Sequence, residues 1–483
     1  MEASSGGTLQ LEGAIANTNG TTNGTIEALS GGTVLLNGAT VSGGTVTTAG
    51  TGVILAENSS ELNGSTNAVT NAGNLQVPNS QALYMTGTLN NNGTLSLNAT
   101  NSNTELLVNS ATAILKGSGT VTFSDNDSNY IFAATGGNQL TIQQPISGPG
   151  GNIGNGNLII VNQSTIDATA STLGSVLTID PDGTLTNTGG TLEATGGGTL
   201  TLDGGTITNT GGNIIAGSGS TVNLAGSVDI VGGKLSGAGT FVAFSGAQLD
   251  GSTHTVTSDG NLEIPNANVL YIKGTLINNG TLSVNASNSS TELQINSPTA
   301  TIQGTGSITF TDNDSNYIFA ATGGNQLTIA QPITGAGGNI GNGDLVIVNQ
   351  STIDATASAH GNTLTIDPDA TFSNTGLLEA TGGGSLALDG GTFTNTGSGT
   401  ITAGSGSNVT LEGSVTVTGG TLNGAGLFTS LSGSTLNGVT NAGTLQAPMP
   451  TPRRWREPSQ IPEPCSSTPA TATRSLNQAA RLL

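Results

Sequence analysis

The chain has 483 residues, of which 76 are glycine, 34% are hydrophobic, 3% are aromatic and 8% are charged. Residues 1–448 carry 27 acidic and three basic side chains, a net charge of −24. This balance excludes the clustered Lys and Arg that bind nucleic acid or anionic membranes. No apolar run has the length of about 18 residues that a transmembrane helix needs. Residues 1–448 contain no cysteine for a disulfide framework or a cysteine–zinc site.

The N-terminus begins inside a repeat. Met1-Glu2-Ala3 aligns with Leu192-Glu193-Ala194 and with Leu378-Glu379-Ala380. We therefore expect the chain to be an internal piece of a longer protein, in which case the missing signal peptide says nothing about localisation.

A long internal repeat dominates the chain. The eighteen residues DNDSNYIFAATGGNQLTI run from Asp125 to Ile142 and again from Asp312 to Ile329. Repeated units of this kind are typical of solenoids, propellers and other arrays, because neighbouring copies bury their apolar faces against one another. Residues 1–448 are therefore predicted to form one repeat body.

A shorter period lies inside the long one. Apolar residues recur about every seven positions, and many have an apolar partner two positions on, as Leu200 has Leu202. This alternation predicts strands with one buried face, and the Gly, Asn, Ser and Asp between them are corner residues. Three such strands would make one coil of about 21 residues. That step would stack Leu185, Ile207, Val228, Leu249 and Leu270.

The sequence therefore predicts an all-β fold, a right-handed parallel β-helix with three short strands in each coil and about 21 coils in all. Outward Thr and Asn side chains are expected to form ladders along the stack. A coiled coil is excluded because Gly, Thr and Asn are poor helix formers. The alternative is a β-propeller, which needs blades of about 40 residues with recurrent aromatic side chains.

Two corresponding loops carry oxygen ligands at alternate positions. Calcium prefers such hard oxygens, so these residues are candidate ligands for the only cofactor that the sequence suggests. The alternative is a turn in which Asp and Asn cap their own backbone. The loops are not EF-hands, because Tyr130 and Gly136 stand where that motif needs Gly and Glu. The candidate ligands are Asp125, Asp127, Asn129, Asp312, Asp314 and Asn316.

Paired acids raise the hypothesis of an enzyme. Asp180 with Asp182, and Asp367 with Asp369, could supply a general acid and base for glycan cleavage. Residues 1–448 contain three scattered Lys and no Arg, which leaves lyase chemistry without its base. We therefore predict that the protein is not an enzyme.

The aromatic and histidine residues differ in how they follow the repeat. Tyr84 corresponds to Tyr271 and Tyr130 to Tyr317, and these rings could stack on sugars or pack against the body. Two histidines, His254 and His360, do not correspond and are expected to be exposed.

The segments TNTGGTLEATGGGTLTLDGGTITNTGG (186–212) and NTGLLEATGGGSLALDGGTFTNTG (374–397) carry a resemblance. They resemble the coils of large bacterial surface proteins, the filamentous-haemagglutinin-like and autotransporter-passenger β-helices. The resemblance covers about residues 1–448 and implies secretion, display at the outer surface and adhesion. We expect a stalk or adhesive rod whose repeated face binds host or environmental glycans or proteins weakly and multivalently. The alternatives are a glycan-active β-helix enzyme and a passive spacer.

The last residues, 449–483, break the pattern. They hold the only Trp, the only Cys and all five Arg of the chain. In a shifted reading frame, the permitted codons accommodate ANAQTVAGTLTNTGTLLLNSSNSNTEL, which matches residues 79–106. We therefore predict that 449–483 is a non-native, disordered tail produced by a frameshift. Open coils at the ends of the body would expose strand edges, so we also expect end-to-end self-association.

Overall fold

The structure is a computed structural model, and the residues that it describes are 1–20, 22–431, 433–447 and 480–481. The tail predicted over 449–483 lies outside the described residues except at Ala480–Arg481.

The chain divides into two compact units. Unit 1 comprises Met1–Asn285 and Ser290–Ser307, and unit 2 comprises Ala286–Ser289 and the residues from Ile308 onward. Each unit contains one copy of the loop that carries the candidate calcium ligands. This Asp-rich loop comprises residues 125–129 in unit 1 and residues 312–316 in unit 2.

The described residues form strands and no helix, so none could cross a membrane as a helix. β-Branched Thr, Val and Ile favour the strands, whereas Gly and Asn favour the corners. As far as Gln303 the strands are Glu2–Ala3, Thr8–Ala16, Thr18–Asn19, Thr22–Asn23, Thr25–Ala28, Thr33–Ser42, Thr45–Thr48, Val53–Glu57, Ser60–Asn71, Asn74–Val77, Ala82–Asn91, Thr94–Leu97, Thr104–Val108, Thr112–Lys116, Thr120–Phe123, Asn129–Ala133, Asn138–Ile142, Ile146–Gly148, Gly151–Gly154, Leu158–Asn162, Thr165–Ala168, Leu177–Ile179, Thr184–Thr186, Thr191–Ala194, Thr199–Asp203, Thr206–Thr208, Asn213–Ala216, Thr221–Ala225, Asp229–Val231, Gly233–Ser236, Thr240–Ala243, Ala247–Ser258, Asn261–Pro265, Val269–Asn278, Thr281–Asn285 and Thr291–Gln303. From Ser307 onward they are Ser307–Phe310, Asn316–Ala320, Asn325–Ala330, Ile333–Gly335, Gly338–Gly341, Leu345–Asn349, Thr352–Ala355, Leu364–Ile366, Thr371–Asn374, Leu377–Ala380, Ser385–Asp389, Thr392–Asn395, Thr400–Ala403, Asn408–Glu412, Thr416–Thr418, Thr421–Asn423, Leu427–Ser430, Thr435–Asn437, Thr440–Asn441, Thr444–Gln446 and Ala480–Arg481.

Strands of successive turns pair in parallel and in register. In unit 1, Leu177–Ile179 pairs with Thr199–Asp203, which pairs in turn with Thr221–Ala225. The corresponding pairing in unit 2 joins Leu364–Ile366, Ser385–Asp389 and Asn408–Glu412. The predicted parallel β-solenoid is therefore confirmed.

The core of each unit consists of the inward side chains of these strands. Leu200 and Leu202 are fully buried, whereas Thr201 between them faces outward. Burying one such aliphatic side chain stabilises the fold by about 1.5–3 kcal/mol, so each added turn strengthens the stack. In unit 2 the core also holds Phe372 and Phe393, whose rings stack with centroids 4.8 Å apart.

The spacing of the turns differs from the prediction. The described residues form about 19 turns with a spacing of roughly 23 residues, so the turns are longer and fewer than the sequence predicts. The predicted stack positions of Val228 and Leu270 are taken by Ile230 and Ile272. Both shifts are two residues long, so the same face stays inward. Corner loops such as residues 169–176 account for the longer spacing.

A ladder of buried asparagines lines a corner in each unit. In unit 1, Asn162 Nδ2 donates to Asn187 Oδ1 at 2.8 Å, and Asn187 Nδ2 donates to Asn209 Oδ1 at 2.7 Å. These amides point inward and are distinct from the predicted outward contacts between turns, an example of which joins Asn223 Nδ2 to Thr201 Oγ1 at 3.1 Å. At the corner they also donate to backbone carbonyls, such as that of Ser164 at 3.1 Å. The ladder of unit 2 is Asn349, Asn374 and Asn395.

Candidate functional site

The first Asp-rich loop follows the strand Thr120–Phe123 and binds a loop two turns further along unit 1. Asp125 Oδ1 accepts a hydrogen bond from Ser171 Oγ at 2.6 Å. Its Oδ2 accepts from the Thr172 backbone N–H at 2.7 Å and from Thr172 Oγ1 at 2.8 Å. Asp127 Oδ1 accepts from the Val176 N–H at 2.7 Å. The two carboxylates therefore hold the corner loop 169–176 against the solenoid.

The second copy makes the same kind of contact in unit 2. Asp312 Oδ1 accepts from Ser358 Oγ at 2.6 Å, and its Oδ2 accepts from the Ala359 N–H at 2.7 Å. Two side chains add further donors, His360 Nδ1 at 3.0 Å from Oδ2 and Asn362 Nδ2 at 2.9 Å from Oδ1. Asp314 accepts from the Thr363 N–H at 3.0 Å. We call each Asp pair and the loop that it holds a loop clamp.

A glycine on the intervening turn makes room for each clamp. A Cβ at Gly150 would lie 2.5 Å from Ser175 Cβ and 2.9 Å from Asp127 Oδ1. A Cβ at Gly337 would meet Asn362 Cβ and Asp314 Oδ1 at 2.7 and 2.9 Å. Any side chain at these positions would push the two loops apart.

The hydrogen bonds of the clamps lower the pKa of the Asp125 and Asp312 carboxyls. The hydrogen bond from Ser171, with weaker help from Thr172, lowers the pKa of Asp125 from 3.8 to about 2. The bond from Ser358 does the same for Asp312, whose pKa also falls to about 2. A carboxylate that accepts several N–H and O–H bonds is favoured in its charged form, which explains the direction.

Asn129 and Asn316, the asparagines predicted to be calcium ligands, point inward instead. Asn129 is fully buried. Its Oδ1 accepts from the Ala99 N–H at 3.0 Å, and its Nδ2 donates to the Ser124 and Asn126 carbonyls at 3.0 and 2.8 Å. Asn316 makes the equivalent bonds in unit 2. Neither amide oxygen is free to bind a cation.

The donor set around the carboxylates does not fit calcium either. Calcium takes six to eight oxygen ligands, whereas Asp125, Asp127, Asp312 and Asp314 face backbone N–H groups. Among the described residues, no group of three or more His, Cys, Asp or Glu could hold a metal ion. The alternative interpretation, a turn that caps its own backbone, describes the two asparagines, whose amides bind carbonyls of their own turn. The four aspartates instead bind a loop two turns away.

The acids proposed for glycan cleavage lie at a corner of each unit. Burial raises the pKa of Asp180, and its charged neighbour is Asp203 on the next turn, not Asp182. Burial also raises the pKa of Asp367, with Asp389 and Asp344 as further causes. The sequence neighbours Asp182 and Asp369 do not contribute to these shifts.

A different pair of carboxylates meets across neighbouring turns. Asp167 stands in register with Glu193 in unit 1, as Asp354 does with Glu379 in unit 2. Thr195 Oγ1 donates to both oxygens of Asp167 at 2.9 Å. Burial, and then the neighbouring aspartate, raises the pKa of both glutamates. Sequence reasoning missed these pairs because their members lie on different turns, far from each other along the chain. The signal was the similarity of the strand sequences TIDA and TLEA.

The histidines and tyrosines lie on the surface or half-buried. His254 and His360 are exposed, and His360 takes part in the unit 2 clamp. Tyr130 and Phe132 of unit 1 face outward from the strand Asn129–Ala133, with ring centroids 6.1 Å apart in an edge-to-face arrangement. Tyr317 and Phe319 repeat this geometry in unit 2 at 6.2 Å.

Comparison with known proteins adds no relative. No family model matches the chain, and no curated protein and no solved structure matches it. A function is therefore inferred from the fold and from the surface sites of the two units.

Proposed function

We propose that the protein is a structural and adhesive repeat protein, secreted or displayed at a bacterial outer surface. In this proposal it performs no catalysis and binds surface glycans or proteins through many weak contacts. A β-solenoid with the same outward residues in two units is suited to this role, because each copy can engage the same ligand. The resemblance of residues 186–212 to the coils of bacterial surface proteins supports the localisation.

The repeated aromatic pair is the observation that carries the proposal. Only 3% of the chain is aromatic. Yet Tyr130 with Phe132 and Tyr317 with Phe319 stand half-buried and outward on equivalent strands, with interplanar angles of 84° and 85°. A half-exposed ring on an otherwise small-residue sheet offers an apolar surface on which a sugar ring can stack.

Each aromatic pair has a polar neighbour on the following turn. Tyr130 is in register with Asn152, and Tyr317 with Asn339. The Oδ1 of each asparagine already accepts a hydrogen bond at 2.8 Å from the backbone N–H three residues on. Its Nδ2 is therefore the group that can donate to the hydroxyl oxygens of a stacked sugar. The equivalent face in each unit therefore combines a stacking surface with a hydrogen-bonding group.

The test is binding of the full chain to an array of immobilised neutral and acidic oligosaccharides. Tyr130→Thr and Tyr317→Thr keep a strand-forming residue and remove the ring. If the two sites act together, each single variant should lose about tenfold in apparent affinity and the double variant about 10²-fold or more. Thr178→Ala, an outward change on the same unit 1 stack, should bind like the wild type.

Two results would contradict the proposal. Absence of binding to any oligosaccharide would leave the protein as a passive spacer. Wild-type binding by the double variant would show that the aromatic pairs are not the adhesive face.

A glycan-active enzyme is the second candidate, and the carboxylate pairs favour it. Asp167 and Glu193 lie on neighbouring strands, which are about 4.8 Å apart. Retaining glycosidases hold their two carboxyls about 5–5.5 Å apart. The enzyme hypothesis predicts that the wild type releases reducing ends from the polysaccharides it binds, and that Glu193→Gln with Glu379→Gln abolishes the release. No release by the wild type would leave the adhesive proposal as the better account.

A further inference from the structure

A small polar pocket lies near the N-terminal end of unit 1. The strand Ser60–Asn71 loses its pairing register with the next turn between Gly64 and Val69, which marks a bend at residues 64–68 beside the corner formed by Gly43 and Gly44. The bend and the corner enclose a depression of about 260 Å³. Its polar lining consists of Thr18, Ser42, Asn63, Ser65, Thr66 and Asn67.

Glycine at position 43 keeps the pocket open. Its φ of 64° lies in the left-handed region, and a Cβ there would stand 2.7 Å from Thr18 Cγ2 and 3.1 Å from Asn67 Cβ. Any side chain at residue 43 would therefore enter the space between two walls of the pocket. The corner geometry and the opening have the same cause, the absence of a side chain.

The bend that forms the outer wall is held in place. Asn63 Oδ1 accepts hydrogen bonds from the Ser65 N–H at 3.1 Å and from Ser65 Oγ at 2.7 Å. At Gly64 the backbone approaches the next turn so closely that a Cβ would lie 2.0 Å from the Thr88 carbonyl oxygen. The pocket therefore has a defined shape before a ligand binds, which reduces the entropy lost on binding.

Two of the lining side chains keep their hydrogen-bonding capacity. Thr66 and Asn67 are exposed, and their side chains have no hydrogen-bond partner among the described residues. The hydroxyl can donate one hydrogen bond and accept others, and the amide can do both. These groups are positioned to bind a ligand that offers donors and acceptors in equal measure.

The lining defines the chemical class of that ligand. None of the lining residues is ionisable, so the pocket has no charge with which to hold an ion. Hydroxyls and amides match the hydroxyl groups of a sugar. Pockets for drug-sized ligands begin at about 300 Å³, so a pocket of 260 Å³ suits a single sugar ring.

The corresponding corner in the second copy, also in unit 1, has a different character. Gly232 takes the place of Gly43, and His254 takes the place of Asn67. A Cβ at Gly232 would lie 2.8 Å from His254 Cβ. Asp250, which stands where the first copy has Asn63, forms an ion pair with Lys273 at 2.6 Å. The neutral polar lining therefore belongs to the first copy.

We infer that the pocket between Gly43 and residues 64–68 binds one ring of a neutral hexose or N-acetylhexosamine. This inference rests on the proposed adhesive function and names one ligand class for it. It adds a hydrogen-bonding subsite to the stacking faces at Tyr130 and Tyr317.

The experiment is saturation-transfer NMR on the full chain with the methyl glycosides of glucose, galactose, mannose and N-acetylglucosamine. Methyl glucuronide is the charged comparison. We expect transfer to at least one neutral glycoside with a Kd of about 1–10 mM, an affinity typical of a few hydrogen bonds. Gly43→Ala should weaken binding at least about tenfold.

Gly232→Ala is the matched control. Gly232 has a φ of 65°, so the backbone strain of the substitution equals that at Gly43, where φ is 64°. This variant should bind the glycosides like the wild type. Thr66→Val removes one hydroxyl at nearly constant volume and should weaken binding several-fold. If circular dichroism shows that Gly43→Ala does not fold, the Thr66→Val variant tests whether the pocket binds the glycosides.

Three results would overturn the inference: no transfer to any neutral glycoside at about 10 mM, stronger transfer to the glucuronide, or wild-type binding by the folded pocket variants. The proposed function can be judged separately. Array binding that depends on Tyr130 and Tyr317 would stand even if the pocket failed to bind sugar.

Discussion

The loop clamp of unit 1 and the clamp of unit 2 hold equivalent loops with different donors. Asp125 and Asp312 both accept from a serine hydroxyl at 2.6 Å and from a backbone N–H at 2.7 Å. The remaining donors differ, because Thr172 Oγ1 completes the first clamp, and His360 with Asn362 completes the second. Both oxygens of the carboxylate accept hydrogen bonds in each unit.

The comparison shows which part of a clamp can vary. A backbone N–H is present at every non-proline position, so a change of side chain does not remove it. The serine hydroxyl is also common to both copies, because it donates to Asp and accepts N–H bonds from its own loop. In unit 1, Ser171 Oγ accepts from the Leu173 and Ser175 N–H groups at 3.1 and 2.7 Å. The side-chain donors that differ between the clamps add to the bonds from the serine and the backbone N–H groups.

The largest effect is expected from removing the buried asparagine beneath a clamp. Asn129→Ala would leave the Ala99 N–H and the Asn126 carbonyl without their side-chain partner, whereas the Ser124 carbonyl would keep the bond from the Asn126 N–H. Each unsatisfied buried group costs about 1–3 kcal/mol, so we expect a loss of about 2–4 kcal/mol in local stability. Hydrogen exchange of the strand Asn129–Ala133 measures this loss. Asn126→Ala is the control, with a smaller expected loss of about 1 kcal/mol. Equal exchange in the wild type and in Asn129→Ala would contradict the assignment.

Removal of a clamp carboxylate should have the next largest effect. Asp125→Ala frees residues 171–173, and Asp312→Ala frees residues 358–362. Hydrogen bonds to a charged group contribute about 1.5–3 kcal/mol, so exchange of the released loop should rise correspondingly. The loop of the other unit is the internal control and should not change. If both loops exchanged faster in each single variant, the clamps would not be local devices.

The clamps also predict how stability depends on pH. The folded pKa of Asp125 and Asp312 is about 2, below the ordinary 3.8. Their stabilisation is therefore present above about pH 4 and is lost as the pH falls towards about 2. Thermal unfolding followed by circular dichroism between about pH 5 and pH 2 measures this loss. Replacement of both residues by Asn should flatten the curve in that window. A slope equal to that of the wild type would show that other carboxyls control acid unfolding.

Asp167 and Asp354 should respond to pH in the opposite sense. Burial raises the pKa of both carboxyls, so the charged form is disfavoured in the folded state. As the pH falls through the raised folded pKa, protonation relieves this penalty and the folded state gains stability. Asp167→Asn with Asp354→Asn should therefore be more stable than the wild type at about pH 7 and lose that advantage in acid. Unfolding curves at the two ends of the range test this. A variant less stable than the wild type at neutral pH would show that the Thr195 and Thr381 hydrogen bonds outweigh burial.

Exchange of the variable donor should have a small effect. His360→Leu gives unit 2 the residue of unit 1, and Leu173→His makes the reciprocal change. The imidazole is exposed, and exposed ion pairs contribute about 0–1 kcal/mol. We expect the histidine-containing version of each loop to be slightly more protected from hydrogen exchange than the leucine version at the same pH, because the imidazole adds a donor to the clamp carboxylate. Equal protection of the histidine and leucine versions of each loop would show that His360 does not contribute to the clamp.

No effect at all is expected from calcium. Calcium at about 10 mM would be tenfold above the weakest Kd of extracellular calcium modules, which is about 10⁻³ M. A site of that affinity would stabilise the folded state by about 1.4 kcal/mol. Equal unfolding temperatures with calcium and with magnesium would agree with the hydrogen bonds of both clamps. A calcium-specific increase that Asp125→Ala abolishes would restore the calcium hypothesis.

Local features of the chain could be predicted, but contacts between distant residues could not. The inward positions of Leu200 and Leu202 follow from a period of two residues, which is visible in the sequence. Asp125 and Ser171 meet because a short glycine corner lies between their turns. Nothing in the spacing of Asp127 and Asn129 reveals that one side chain faces a loop and the other faces the core. Asn129 faces the core because it is the first residue of the strand Asn129–Ala133, whose alternate side chains are buried.

The sequence alone determined that the chain is an all-β solenoid with inward aliphatic residues, glycine-rich corners and two equivalent loops. These properties depend on short periods and on local conformational preference. Only the tertiary structure decided which residues meet across turns, such as Asp167 with Glu193 or Gly43 with Asn67. The physical reason is that the length of each corner loop decides which residue of the next turn comes to lie beside a given residue. A few extra corner residues change every partner on the next turn, while the inward face of each strand stays the same.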